Sequence, residues 1–165
     1  MQLHYGIENL HIDNPVVTIG SFDGVHKGHV QVIASLKRVA ERLQGETVII
    51  SFEPHAREVL YPLEKRPGIL TTLDEKVVIL ESLGVAHLII LPFTHALAEL
   101  TYSDFVRNLL VDKLGVKGLV IGYDHRLGKN REGTFDKLKV LAEQYHFYLE
   151  QEDVYEEHDI NISST

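Results

Sequence analysis

Short runs of consecutive apolar residues alternate along the chain with longer stretches in which apolar residues recur every three or four positions. Residues 16–19, Val-Val-Thr-Ile, form a β-branched run that stops at Gly20 and reads as a buried strand. From His29 the pattern becomes helical: Val32, Ile33, Leu36, Val39, Ala40 and Leu43 line one side, and Gly45 ends the run. A second strand follows over 48–52, and then a loop-like stretch punctuated by Pro54, Pro62 and Pro67. Thr72-x-x-Glu75 is a capping-box signature for a helix with Val77, Val78, Leu80 and Leu83 on its apolar side, closed by Gly84. The remaining pattern predicts a strand over 87–93, a helix over 102–114, a strand over 118–123, a helix over 134–145, a fifth strand from 147, and a sixth over 159–163.

Strands and helices alternating at this spacing predict βαβ units, hence an α/β fold with a mostly parallel sheet of five to six strands and helices on both faces. The continuous apolar strands agree, because strands covered on both sides have no polar face. In such folds ligands sit beyond the carboxyl ends of the strands. The unusual loops 20–29, 53–69 and 122–133 fall at those ends.

A length of 165 residues fits one domain, with no internal linker or repeat, and the 44% hydrophobic and 24% charged content is that of a globular chain. The absence of cysteine removes disulfides, thiolate zinc sites and a cysteine nucleophile. No apolar run reaches membrane-spanning length, and the N-terminus lacks the pattern of a signal peptide, so a cytoplasmic protein without a membrane partner is expected. A net charge of −8 argues against a nucleic-acid partner, while leaving room for a local basic pocket. Ten histidines stand out, so their spacing matters.

The loop Gly20-Ser-Phe-Asp-Gly-Val-His-Lys-Gly-His29 leads into a helix N-terminus, where free N–H groups and the helix dipole favour anions. His26 and His29 sit three apart there, with Lys27 between them. Neither a P-loop nor a Gly-x-Gly-x-x-Gly fingerprint is present. On spacing alone the loop admits a phosphate site, a tight turn with two surface histidines, or two ligands of a zinc site whose third ligand is not evident. His55, after the second strand, reads by itself as a loop histidine. Residues 122–133 read by composition equally as a solvated turn or a basic ligand loop, and 161–165 as a polar end with an N-cap signal.

The decapeptide 20–29 resembles the Gly-x-Phe-Asp-Gly-x-His-x-Gly-His signature of bacterial FAD synthetases, which are nucleotidyltransferases with a His-x-Gly-His loop. Three further stretches carry the resemblance in the same order: Ser51-Phe-Glu-Pro-His-Ala56, Gly122-Tyr-Asp-His-Arg-Leu-Gly128 and Ile162-Ser-Ser-Thr165. Together they span essentially the whole chain and are similar to the N-terminal adenylylating domain of a bifunctional riboflavin kinase/FAD synthetase. The resemblance implies a Rossmann-like nucleotidyltransferase fold over 1–165, with the β-rich riboflavin kinase domain and an arginine-bearing helix of the family lying outside these residues.

The implied reaction is ATP + FMN giving FAD + pyrophosphate. The implied ATP site comprises Gly20, Ser21, Phe22, Asp23, Gly24, His26, Gly28, His29, Ser164 and Thr165, with His26 and His29 as the catalytic donors to phosphate oxygens. The implied FMN site comprises Phe52, Pro54, His55, Asp124 and Arg126. Mg2+ is expected with ATP, held mainly by phosphate oxygens and water, so its protein ligands are not readable from sequence. Family members usually have proline where this chain has Ala56, and often phenylalanine where it has His125 and Leu127, so flavin stacking at 125 and 127 is not implied. Another phosphate acceptor, or a non-catalytic nucleotide- or flavin-binding module, remains an alternative.

Overall fold

A strand that is apolar at every position needs cover on both faces, and the computed structural model supplies it. It describes residues 1–22, 27–53, 73–123, 125–152, 155–157 and 160–162, with the backbone only at 27–28, 155–157 and 160–162. The strands β1 (Gln2–Tyr5), β2 (Val16–Ile19), β3 (Thr47–Glu53), β4 (His87–Pro92), β5 (Gly118–Ile121) and β6 (Tyr148–Gln151) form one sheet in the order β1-β4-β3-β2-β5-β6. Every pairing in it is parallel. The helices are α1 (Lys27–Leu43), α2 (Leu73–Ser82), the short α3 (His95–Ala98), α4 (Tyr102–Phe105) and α5 (Phe135–Tyr145). Among the described residues no helix is long and apolar enough to cross a membrane.

Successive strand residues point to opposite faces, and the core divides accordingly. Val16, Ile49, Leu88, Ile90 and Val120 pack with Ile33, Leu36 and Val39 of α1 and Leu80 of α2. Val17, Ile19, Ile50, Ile89 and Ile121 pack on the other side with Phe105, Leu110, Leu138 and Leu141, from α4, its continuation and α5. The expected α/β fold with helices on both faces is therefore what the chain forms.

Three local expectations need correction. Of the strand expected over 159–163, the described part, Ile160–Ile162 (β8), does not extend the sheet; it pairs antiparallel with Tyr155–Glu157 (β7) in a separate ribbon. The sixth strand is β1, an edge strand whose mostly exposed residues carry no apolar run to betray it. The helix expected over 102–114 starts as α4, capped by Thr101 Oγ accepting from the Asp104 N–H at 3.1 Å, and continues as a π-helical segment, Val106–Leu114, that stops at Gly115. Its buried residues, Val106, Leu110 and Leu114, lie four apart, a spacing that does not separate α from π in sequence. On α2 the buried positions are Lys76 and Leu80, while Val78 is 68% exposed, so the expected apolar side is rotated.

The chain leaves β2 toward β3 and β4 on one side, then returns to place β5 on the other side of β2. The loops after β2 and β5 thus diverge across a crevice at the carboxyl ends of the strands, the usual ligand position in doubly wound sheets.

Candidate active site

Two cavities open at that crevice. The smaller, about 220 Å³, is lined by Thr18, Gly20, Ser21 and Phe22 after β2, by His29 of α1, and by Arg126 and Arg131 after β5. The larger, about 510 Å³, is lined by Phe52, Phe93, Leu97, Phe105 and Leu127, with Lys129 at its rim. Ile19, Gly20, His125, Arg126 and Arg131 line both, so the cavities share a wall carrying two guanidinium groups.

The loop after β2 stays in the sheet for one more bond, Gly20 N–H donating to the Ile50 carbonyl at 3.0 Å, and then turns. Phe22 makes that turn with φ +51°, a left-handed conformation that is costly for a bulky side chain. Burial holds it there: Phe22 is 3% exposed and packs into the core on the α1 face. Its ring lies against the imidazole of His29, centroids 4.8 Å apart. His29 is buried and occupies the first turn of α1, which starts at Lys27, two residues earlier than the apolar pattern suggests. That first turn carries no acidic side chain, so nothing in it offsets the positive end of the helix dipole.

The loop after β5 is held as a small hairpin. Leu127 and Gly133 exchange both backbone hydrogen bonds, at 3.1 and 2.8 Å, and enclose a tip with a 3₁₀ turn, Lys129–Arg131. Gly128 is required: its φ is +82°, and a Cβ there would lie 2.4 Å from the Tyr102 nitrogen. The tip is fastened to the neighbouring segment by Lys129 N–H donating to the Leu100 carbonyl at 2.8 Å and by the Lys129 ammonium 2.7 Å from Glu99 Oε2. The hydrogen bond from the Lys129 ammonium to Glu99, and then its charge, hold the Glu99 carboxyl below its ordinary pKa, and Glu99 raises that of Lys129 in turn. Glu99 lines the larger cavity, but its charge is thereby answered. Arg126 and Arg131 are exposed on the shared wall.

Of the expected site residues, Gly20, Ser21, Phe22, His29 and Arg126 are brought together around the smaller cavity, and Phe52 lines the larger one. Gly28 lies in the first turn of α1. Asp23, Gly24, His26, Pro54, His55, Asp124, Ser164 and Thr165 lie outside the described residues. Phe52 packs edge-on against Phe93, centroids 5.4 Å apart. Phe93, Leu97, Phe105 and Arg131 were not expected. Phe93 had a signal, since it directly follows the apolar run of β4 and so must emerge at the carboxyl edge. Leu127 is 5% exposed and belongs to the core as much as to the cavity wall. Among the described residues there is no group of three or more His, Asp or Glu able to hold a metal ion.

Comparison with known proteins gives concordant matches. The family model described as FAD synthetase matches residues 9–165. A bifunctional riboflavin kinase/FMN adenylyltransferase of Buchnera aphidicola subsp. Schizaphis graminum is 34% identical over all of this chain and 54% of its own length. The protein of the same name from Escherichia coli strain K12 is 36% identical over all of this chain and 53% of its own length. The chain therefore spans about half the length of these relatives. Among solved structures, one titled a macrolide-efflux protein from Streptococcus pneumoniae superposes over 99% of this chain and 55% of its own, with a TM-score of 0.83 at 23% identity. Pantothenate synthetase from Thermus thermophilus covers 90% of this chain and 59% of its own with a TM-score of 0.57 at 12% identity. These two likenesses speak to the fold alone.

Proposed function

The chain belongs to the FAD synthetase family, and we propose that it transfers the adenylyl group of ATP to the phosphate of FMN, giving FAD and pyrophosphate. The observation that carries this is the paired cavity: a smaller arm of mixed lining faced by a loop backbone and a histidine at a helix N-terminus, joined through two arginines to a larger arm walled by aromatic and aliphatic side chains. The first suits the phosphates of a nucleotide, the second a flat apolar ring system such as isoalloxazine.

The FMN phosphate is already an anion, so no general base has to create the nucleophile. One of its oxygens attacks the α-phosphorus of ATP, a new P–O bond forms, and the bond from the α-phosphorus to the bridging oxygen breaks to release pyrophosphate. What the protein must supply is alignment of two like-charged reactants and donors for the charge that accumulates on the leaving oxygen. On this reading His29 serves the second task, supported by its position in the first turn of α1. Arg126 and Arg131, which line both cavities, would relieve repulsion between the two phosphate groups, and Phe52 would bound the flavin. His26, Asp23, Gly24, Ser164 and Thr165 on the ATP side, and Pro54, His55 and Asp124 on the FMN side, complete the proposed set from the sequence motifs.

Magnesium enters on this reading with ATP, supplying charge neutralisation on the departing pyrophosphate, held by phosphate oxygens and water. The adenylylating unit is assigned to residues 1–165, and riboflavin phosphorylation, which the relatives' names include, is not assigned to them. Setting in the cytoplasm, with small-molecule partners and no nucleic acid, completes the proposal.

The test is direct. Incubated with ATP, magnesium and FMN, the chain should form FAD and pyrophosphate in equal amounts. A clear preference for nicotinamide mononucleotide or phosphopantetheine as the acceptor would overturn the choice of FMN.

A further inference from the structure

One charged side chain in the interior is unused by the mechanism above. Lys76 sits on the sheet-facing side of α2, in line with Leu80 one turn later, and is 5% exposed. Lysine is among the residues least often buried, because its ammonium loses hydration that only hydrogen bonds and charge can replace. A methionine would fill the same space without that cost, so the presence of the ammonium asks for a task.

One of its contacts leads to the nucleotide loop. Lys76 Nζ donates to Ser51 Oγ at 3.2 Å, and Ser51, fully buried on β3, donates through the same oxygen to the Ser21 carbonyl at 3.2 Å. The two bonds run in series from the ammonium through a hydroxyl to a peptide carbonyl, so each polarises the next in the same sense. The carbonyl at the end belongs to the peptide linking Ser21 to Phe22, both of which line the smaller cavity. In a planar trans peptide the N–H points opposite to the C=O. Holding the Ser21 carbonyl toward Ser51 therefore turns the Phe22 N–H away from the interior, and a carbonyl that accepts strengthens the N–H of its own peptide as a donor.

We propose that Lys76 is a positioning residue for the nucleotide: acting through Ser51, it fixes the Ser21–Phe22 peptide so that the Phe22 N–H is offered to a phosphate oxygen in the smaller cavity. The proposal rests on the reading of that cavity as the ATP side. It also accounts for the unfavourable φ of Phe22, since a peptide anchored at one end and a ring anchored against His29 at the other leave the residue between them no extended alternative. Lys76 does not touch substrate in this scheme, and its effect reaches the nucleotide through one hydroxyl.

The experiment measures dissociation constants of α,β-methylene-ATP and of FMN for the chain and for three variants, Lys76→Met, Lys76→Arg and Ser51→Ala. Lys76→Met and Ser51→Ala should each weaken α,β-methylene-ATP about tenfold, the scale of one lost directed hydrogen bond, with FMN binding within about twofold of the parent. Because the two side chains act in series, the double variant should be no weaker than the weaker single one. Lys76→Arg, which keeps a donor and a charge, should recover part of the affinity. Should Lys76→Met not fold, Ser51→Ala, which removes one oxygen, carries the same expectation. Unchanged nucleotide affinity in a folded variant, or equal losses for the nucleotide and FMN, would overturn the positioning role. Failure of the parent chain itself to bind α,β-methylene-ATP would instead overturn the ATP reading.

Discussion

The Phe22 ring lies 4.8 Å from the His29 imidazole, with the two planes inclined by 41°. The two residues belong to different elements, a loop and a helix, yet the aromatic ring of the first forms part of the wall that orients the second. Phe22 thus enters the site by its side chain as well as by its backbone. Phe22→Leu keeps most of the buried volume and removes the ring face. Stability should fall by about 1–1.5 kcal/mol, read by urea unfolding. FAD formation should slow by about tenfold, the rate equivalent of roughly 1.4 kcal/mol, with the KM for FMN unchanged. Wild-type turnover in this variant would reduce Phe22 to a core residue.

His29 itself carries the larger expectation. Removing a donor aimed at developing charge costs about two to three orders of magnitude in turnover, so His29→Ala should lose that much while still binding FMN as the parent does. The split between kcat and FMN affinity is the diagnostic quantity. A variant that loses both together would have lost the loop, and one that keeps its turnover would make His29 a helix-capping residue.

At the opposite end of the sheet, His4 Nε2 lies 3.0 Å from His87 Nδ1, and His87 Nε2 lies 3.0 Å from Glu46 Oε1. Burial, and secondarily the charge of His87, lower the pKa of His4. The unfolded chain therefore takes up this proton more readily than the folded one, and stability rises with pH through the window. The contribution is fully present above about 6.5, the ordinary value for histidine, and is lost as pH falls toward the lower folded value. His4→Gln should flatten the slope of unfolding free energy against pH just below about 6.5, measured by denaturant titration at several pH values. An unchanged slope would mean that the protonation of His4 is not linked to folding.

Much of this molecule is legible in its residues, and the parts that are not fail for identifiable reasons. Val16 to Ile19 and Val48 to Phe52 announce buried parallel strands because neither has a polar face to hide, and the capping threonine at 134 opens α5 where the pattern placed it. The motif 20–29 points to the proposed nucleotide side because its glycines, histidines and the following helix are contiguous. β1 escaped because an edge strand needs apolar residues on one face only. Lys76 escaped because a lysine amid Val77, Val78 and Leu80 reads as the solvent side of a helix, whereas its ammonium has a buried hydroxyl to reach. The larger cavity was half visible: Phe52 follows from its motif, but Phe93, Leu97 and Phe105 converge on it from separate elements, and convergence of that kind has no local signature.

Arg131 is the residue whose absence from the sequence expectations has the most consequence. It sits at the tip of the hairpin closed by Leu127 and Gly133, and with Arg126 it lines both cavities. The proposed reaction brings two phosphate groups to one point, and on that reading the shared wall is where a nucleotide in one arm would meet a flavin phosphate in the other. A guanidinium there can bridge oxygens of both with its fork of donors, which an ammonium cannot do in the same geometry. Loss of one charge-assisted hydrogen bond costs roughly 1.5–3 kcal/mol, so Arg131→Gln should lower kcat/KM for FMN by about tenfold to over a hundredfold. Arg131→Lys should recover binding more than turnover, because it restores charge without the fork. The defect should also change with salt: the parent's kcat/KM should fall as ionic strength rises, and Arg131→Gln should depend on salt less steeply, having lost one of the charges being screened. Steady-state kinetics of the three proteins at low and high ionic strength would decide it, and equal salt slopes in parent and Arg131→Gln would place Arg131 outside the reacting phosphates.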